Sequence, residues 1–101
     1  MNRVGIYYAF WEREWAADFR PYVKKVKALG FDTLEIAAGA LPDMTAADRR
    51  ALRDEAEAEG IQLTCCMGLD PAHDVSSADE AVRREGIRYV GEVLDCIHEI
   101  G

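Results

Sequence analysis

The chain has 101 residues, of which half are apolar and 31% are charged, and its 12 basic residues are outnumbered by 19 acidic ones. This is the composition of one globular domain, since domains commonly hold about 100 to 150 residues. A net charge of −7 without a basic stripe argues against a nucleic-acid partner, because binding to phosphates needs a clustered positive field. The longest apolar run, 4–11, is too short to span a membrane and does not fit a signal peptide.

A repeat of about thirty residues organises the chain. The segments 28–31 and 58–61 each place a glycine between a helical pattern and a strand-like stretch, and a third helical pattern ends at 100–101. Glycine just past a helix tolerates the left-handed conformation that stops it, so each glycine predicts a helix end. The intervening stretches are short and rich in branched or aromatic residues, which predicts strands over Val4–Tyr8, Thr33–Ala37 and Gln62–Met67.

Each helix also carries a mark at its start. Pro21 falls in the first turn of the first helix, where its missing N–H costs nothing, and Thr45 with Asp48 opens the second. Ser77 and Glu80 match a capping box and predict the start of the third helix.

Apolar spacing predicts which face of each helix is buried. The stripe of the first helix is Phe19, Tyr22, Val23, Val26 and Leu29. The second helix is predicted to turn Leu52 and Ala56 inward and, largely to solvent, Arg49, Arg50, Arg53, Glu55, Glu57 and Glu59. The stripe of the third is Val82, Gly86, Tyr89, Val90, Val93, Ile97 and Ile100.

Strand–helix alternation, three times over, predicts an α/β fold with a parallel sheet and right-handed crossovers. Three parallel strands make a poor domain by themselves, because both faces of such a sheet need cover and two edges stay unpaired. The order matches the first three β/α units of a (β/α)8 TIM barrel, which needs about 250 residues. We therefore expect residues 1–101 to form an incomplete barrel domain, either part of a longer protein or one segment of an assembly.

The three cysteines, two of them adjacent, do not suggest a disulfide framework. Cys65 and Cys66 lie on a predicted strand, where neighbouring side chains point to opposite faces, so a bond between them is not expected. Free thiols are typical of a reducing compartment, and we expect a cytoplasmic protein.

The functional face of a parallel β/α fold lies at the carboxyl ends of the strands. Five of the nine aromatic residues lie between positions 7 and 15, just after the first strand and off any helical stripe. Such rings either wall a small-ligand pocket, by stacking on sugar C–H groups, or simply cover the barrel mouth. Three further residues are candidates for the possible pocket, each with a structural alternative. Glu35 has a catalytic or ligand-orienting role or pairs with a backbone amide or a later basic residue, and Cys66 is a nucleophile or a small buried thiol. Gly68 allows a close approach of the backbone or simply forms a turn. The sequence has neither a metal-ligand spacing nor a glycine-rich phosphate loop.

Six separate segments of the sequence carry a family resemblance: residues 1–8, Trp11, 14–15, 29–32, 34–36 and 65–69. With these residues the chain resembles the N-terminal part of the ketose 3-epimerases, the D-tagatose 3-epimerase and D-psicose (D-allulose) 3-epimerase family of xylose-isomerase-like barrels. The spacing of Tyr7, Trp15 and Cys66 is the most specific part of the likeness.

The resemblance implies a complete barrel that binds a divalent metal, usually Mn²⁺ with Co²⁺ or Mg²⁺ as alternatives, and inverts a free ketohexose at C3 through an enediolate. It also implies that Tyr7, Trp15 and Cys66 line the substrate pocket, with Tyr7 standing where some members have phenylalanine. The family's two catalytic glutamates and its metal ligands belong to later strands. This chain is therefore expected to hold no catalytic residue and no metal ligand, to be inactive by itself, and to be part of a homo-oligomer, a dimer or tetramer, when complete.

Two alternatives stand beside this interpretation. Another xylose-isomerase-like sugar isomerase or dehydratase would share the barrel, although the combination of Tyr7, Trp15 and Cys66 speaks against it. A non-catalytic β/α module that binds a sugar or associates with itself is the second.

Overall fold

The structure is a computed structural model that describes residues 1–15 and 18–101. Within these residues, one parallel sheet has the strand order β1 (Gly5–Tyr7), β2 (Thr33–Ala37) and β3 (Gln62–Cys66). The helices that follow the strands are α1 (Arg20–Ala28), α2 (Ala46–Glu59) and α3 (Glu80–Ile100). Short 3₁₀ segments follow the carboxyl end of each strand, at Tyr8–Phe10, Ala38–Asp43 and Pro71–His73. The predicted α/β order, the first three β/α units of a TIM barrel, is confirmed.

The strand register sorts the sheet side chains onto two faces. Tyr7 pairs with Glu35, Glu35 pairs with Thr64, and Ala37 pairs with Cys66. Because side chains alternate along a strand, these residues share one face, which we call the inner face. Residues of one face from all three described strands thus converge where a barrel would enclose them.

The opposite face of the sheet packs on the helices. Leu34 and Ile36 of β2 are fully buried there. They join a core with α1 and α2 side chains that include Val23, Val26 and Leu52, all without solvent exposure. Burying a side chain of this size stabilises the fold by about 1.5–3 kcal/mol. The helix-facing side of the sheet therefore provides the rigid support for the loops at the strand ends.

Three strand boundaries differ from prediction by single residues, at both ends of β1 and at the end of β3. β1 covers Gly5–Tyr7, since Tyr8 starts a 3₁₀ turn and is buried, and β3 ends at Cys66 rather than Met67. The helix stops are confirmed: Gly60 caps α2 at a φ of +69°, and Gly30 follows the end of α1 at +87°. A residue with a Cβ would be strained in this left-handed region.

The predicted capping box of the third helix is wrong. The N-cap residue is Asp79, whose carboxylate accepts a hydrogen bond of 2.9 Å from the Ala81 N–H. The Ser77 hydroxyl oxygen instead accepts from the Asp79 N–H at 3.1 Å, inside the preceding turn. Two cap-forming residues lie near this helix start, and the acid takes the cap position. The predicted place of Pro21 in the first turn of α1 is confirmed, and so is the Thr45 cap of α2, whose hydroxyl accepts from the Asp48 N–H at 3.0 Å.

The predicted buried faces are largely right, with four corrections. In α1, Leu29 is 58% exposed, because it is the C-cap residue past the last turn. In α2, Leu52 and Ala56 are buried as expected, whereas Arg49 is not turned to solvent. In α3, Cys96 is a buried residue that the stripe missed. Some predicted members of that stripe are only half-buried: Val82, Tyr89, Val90 and Ile97.

None of the helices formed by the described residues combines the length and the apolar character that crossing a bilayer requires.

Candidate functional site

A depression of about 290 Å³ lies at the carboxyl ends of β2 and β3. We call it the strand-end depression, and its described lining is Trp15, Ala37, Gly39, Ala40, Asp43, Cys66, Met67 and Gly68. Of the five residues predicted for a pocket, the structure brings Trp15, Cys66 and Gly68 together here. Tyr7 and Glu35 lie on the inner face outside this lining.

Trp15 is held at the rim of the depression through its backbone. The buried Tyr8 hydroxyl donates to the carbonyl oxygens of Glu14 and Trp15, at 3.1 and 3.3 Å. Tyr8 is itself fixed by an edge-on contact with Phe19, whose ring centroid lies 5.0 Å away. The Trp15 side chain remains 68% exposed, so its indole offers an apolar surface beside the depression. A flat exposed ring of this kind suits stacking against C–H groups of a sugar.

The aromatic cluster between positions 7 and 15 divides between the two predicted alternatives. Trp11 stacks on Tyr22 of α1 at 5.8 Å between centroids and 10° between planes, with the Lys25 ammonium 4.6 Å above its ring. Together with Tyr8 it covers the end of the core, whereas Phe10 is 75% exposed and away from the depression lining. Only part of the cluster is therefore free to face a ligand.

Tyr7 adjoins the depression through Cys66. The interaction of its hydroxyl with the Cys66 thiol, together with burial, raises the pKa of Tyr7 well above its ordinary value. Tyr7 also lines, with Trp15, a second hollow of about 260 Å³. The phenol is thus a neutral group over the whole physiological range, able to donate or accept one hydrogen bond.

The surroundings of Glu35 and Gly68 bear on their predicted roles. Glu35 is half-buried in a hollow of about 240 Å³ that Tyr7 and Thr64 also line. Among the described residues its carboxylate has no side-chain or backbone hydrogen-bond partner within the chain, so the expected structural pairing is not made there. A Cβ at Gly68 would meet nothing within 4 Å, so no described backbone approaches it closely.

All three cysteines lie within the described residues, and each is a free thiol. Cys65 pairs in register with Ile36 and faces the helices, opposite to Cys66 on the inner face. Burial raises the pKa of the Cys65 thiol to about 11. The prediction that the adjacent cysteines point to opposite faces is therefore confirmed.

Two charged residues of the site were not singled out by the sequence. Asp43 is the only formally charged residue among the eight that line the depression in the described structure. Arg49, expected in solvent, is only 12% exposed, because its guanidinium donates to the carbonyl oxygens of Leu41 and Met44 at 2.9 and 2.6 Å and to Glu99 at 2.6 Å. It fastens the 3₁₀ segment after β2 to α2 and α3. The place of Asp43 in the segment that follows β2 was the one available signal.

A metal centre is not built from the described part of the chain alone. No group of three His, Cys, Asp or Glu side chains converges there in a way that could hold an ion. The divalent metal implied by the resemblance therefore does not fit these residues by themselves.

Sequence comparison places the chain beside named enzymes. It is 40% identical over 102 aligned positions to the D-psicose 3-epimerase of Agrobacterium fabrum, covering 96% of this chain and 35% of that protein. It is 38% identical over 96 positions to the D-psicose 3-epimerase of Ruminiclostridium cellulolyticum, covering 95% of this chain and 33% of the relative. The chain thus spans about a third of the length of these relatives. No protein-family model matches the sequence.

Solved structures agree with the sequence comparison. A crystal structure of D-psicose 3-epimerase in the presence of D-fructose superposes with a TM-score of 0.95 at 37% identity, over 98% of this chain and 34% of that one. The D-psicose 3-epimerase of Clostridium cellulolyticum H10 with D-tagatose gives the same TM-score and identity over the same shares of the two chains. An L-ribulose 3-epimerase shares the fold, with a TM-score of 0.81 at 24% identity. The chain belongs to the ketose 3-epimerase family, as the part that corresponds to the first three β/α units of its TIM barrel.

Proposed function

We propose that this chain supplies one wall of the ketohexose site in a metal-dependent ketose 3-epimerase, which inverts C3 of a free ketohexose through an enediolate. The observation that carries the proposal is that Trp15, Cys66 and Gly68 line one depression at the strand ends. Relatives that match nearly the whole chain are named D-psicose 3-epimerases, and one was crystallised in the presence of D-fructose.

The residues of this wall have different chemical roles. Trp15 offers its exposed ring to the C–H face of the sugar. Tyr7, a neutral phenol whose pKa is raised further by Cys66 and by burial, hydrogen-bonds a sugar hydroxyl without adding charge. Cys66 adds a small uncharged side chain to the lining of the depression. These groups bind and orient a substrate, and none of them is assigned to proton transfer at C3.

Catalysis in this proposal depends on groups beyond the described residues of this chain. A bound divalent metal such as Mn²⁺, with Co²⁺ or Mg²⁺ as alternatives, would offset negative charge on the substrate oxygens. Its ligands and the two catalytic glutamates would come from the other strands of the barrel, so residues 1–101 would act only as part of the complete domain. The cytoplasmic location and the homo-oligomer stay predictions, the former supported by the free thiols.

A chimera tests this proposal. The matching 102-residue segment of the Agrobacterium fabrum relative is replaced by this chain, and conversion of D-fructose to D-psicose is followed by chromatography with Mn²⁺ present. We expect the folded chimera to be active and Trp15→Ala to raise its KM about tenfold, the effect of losing a contact worth roughly 1.4 kcal/mol.

Phe10→Ala is the matched control, because Phe10 is also an exposed ring of the same loop but does not line the depression. It should leave KM and kcat near those of the chimera. A folded chimera without epimerase activity, or equal effects of the two substitutions, would contradict the proposed function.

A further inference from the structure

We propose that Asp43 is the specificity-determining residue that makes the strand-end depression select uncharged polyols over anionic sugars. Its carboxylate accepts hydrogen bonds from ligand hydroxyl groups and repels a phosphate or carboxylate on the ligand. This inference rests on the proposed function, since it requires that the depression bind a sugar.

The charge on Asp43 is not neutralised by its surroundings. Its carboxylate forms no ion pair and accepts no hydrogen bond from the other described residues. Arg49, the basic residue that binds its loop, directs its guanidinium to two carbonyl oxygens and to Glu99. The carboxylate therefore keeps both oxygens available for ligand hydroxyls.

The backbone on both sides of Asp43 is fixed. Arg49 holds the carbonyl oxygens of Leu41 and Met44, two residues before and one residue after Asp43. The Met44 N–H also donates to the Leu41 carbonyl at 3.1 Å, which closes the turn. The backbone that carries Asp43 at the lining of the depression is therefore held in place.

The neighbourhood of Asp43 offers no compensating cation within the described residues. A second hollow on its other side is lined by Asp18, Asp48, Met44 and Arg20. Arg20, the one basic residue of that lining, donates to Glu55 at 3.0 Å. The local field is thus negative, which disfavours a ligand anion as it approaches.

Trp15 lines the same depression as Asp43. The depression combines an exposed indole ring with one carboxylate and a lining otherwise made of small or apolar side chains and the Cys66 thiol. A ring suits the C–H face of a sugar, and a charged acceptor forms the stronger class of hydrogen bond with its hydroxyls.

The test compares D-fructose with D-fructose 6-phosphate as probes of the chimera described above, in which this chain is part of a complete barrel. Binding is measured by NMR titration of ¹⁵N-labelled protein, following the Trp15 indole and the Gly39 and Gly68 amides. We expect the wild type to prefer D-fructose, and Asp43→Asn to shift the ratio of the two Kd values about three- to tenfold toward the phosphate. That factor is the Coulomb effect of two unit charges about 6 Å apart in a water-rich cleft.

Two controls separate local charge from other effects. Asp43→Glu keeps the charge and should keep the wild-type preference. Glu57→Gln removes one exposed acid of α2 outside the depression, so it changes the net charge equally and should leave the ratio unaltered. Added salt should weaken the discrimination by the wild type, because it screens exposed charges.

The outcomes distinguish this inference from the proposed function. D-fructose binding at the depression with the same ratio in Asp43→Asn as in the wild type overturns the role of Asp43 and leaves the proposed function standing. A chimera with the wild-type Asp43 that binds neither probe at Trp15, Gly39 and Gly68 overturns both. A ratio that moves equally in Glu57→Gln assigns the effect to net charge and also overturns the inference.

Discussion

Replacing Gly86 by alanine should destabilise the chain, although alanine is the better helix former. A Cβ at this position of α3 would lie 2.5 Å from the carbonyl oxygen of His73 and 2.9 Å from its carbonyl carbon. Both atoms belong to backbone, so the 3₁₀ segment Pro71–His73 must move away from the helix. That movement would disturb the loop that continues from Gly68 at the depression.

The expected magnitude is the difference between two opposing effects. Overpacking typically costs 1–3 kcal/mol, and helix propensity returns about 1 kcal/mol. Because the Cβ would meet backbone atoms at 2.5 and 2.9 Å, the overpacking cost should lie in the upper part of its range, about 2–3 kcal/mol, which leaves a net loss of about 1–2 kcal/mol from Gly86→Ala. Gly91→Ala in the same helix is the control, since a Cβ there meets nothing within 4 Å. It should stabilise the chain by about 0.5–1 kcal/mol.

Urea unfolding followed by circular dichroism measures both variants. With an m-value of about 1.5 kcal/mol/M, the midpoint of Gly86→Ala should fall by roughly 1 M, while that of Gly91→Ala should rise. If Gly86→Ala is as stable as the wild type or more stable, the close packing of His73 against α3 is refuted.

Three further predictions concern other parts of the site. Arg49→Ala should lower the free energy of unfolding by about 1–3 kcal/mol in the same assay, because the substitution leaves the Leu41 and Met44 carbonyl oxygens without their donor. A loss no larger than that of Arg50→Ala would refute this. The hydrogen bond from His73 lowers the pKa of Asp70 below its ordinary value, so this carboxylate contributes stability that is complete above about pH 4 and is lost as the pH falls through the lowered pKa. Asp70→Asn should therefore flatten the acid limb of the urea midpoint plotted against pH, and an unchanged limb would count against the pair. Because the pKa of Cys65 is raised to about 11, iodoacetamide should alkylate it at pH 8 about 100-fold more slowly than an ordinary exposed thiol, in a variant whose other two cysteines are serine; a rate like that of free cysteine would contradict its burial.

The elements that depend on local chemistry were predictable from the sequence. Gly60 stops α2 because only a residue without a Cβ takes its φ of +69° at low cost, and Thr45 caps the same helix with its own hydroxyl. The alternation of β2 placed Leu34 and Ile36 on the helix-facing side. These features require only neighbouring residues, so a single sequence contains them.

The predictions that failed concern features that depend on competition between neighbouring residues or on contacts between different elements. Ser77 and Asp79 both suit an N-cap, and their order along the chain does not say which one takes the helix end. Arg49 carries a charge typical of an exposed helix face, yet the carbonyl groups of Leu41 and Met44 and the carboxylate of Glu99 in α3 draw it inward. The prediction of Trp15 for the pocket came from the family resemblance alone. Composition and spacing do not encode the hydrogen bond that its carbonyl oxygen accepts from the buried Tyr8.

The central claim, that Trp15 and Cys66 form a wall of a ketohexose site, is tested most directly by a crystal structure of the active chimera with D-fructose. We expect a sugar in the strand-end depression, with carbon atoms within about 4 Å of the Trp15 ring and of the Cys66 sulfur. A sugar seated elsewhere in the barrel, with neither residue in contact, would contradict it.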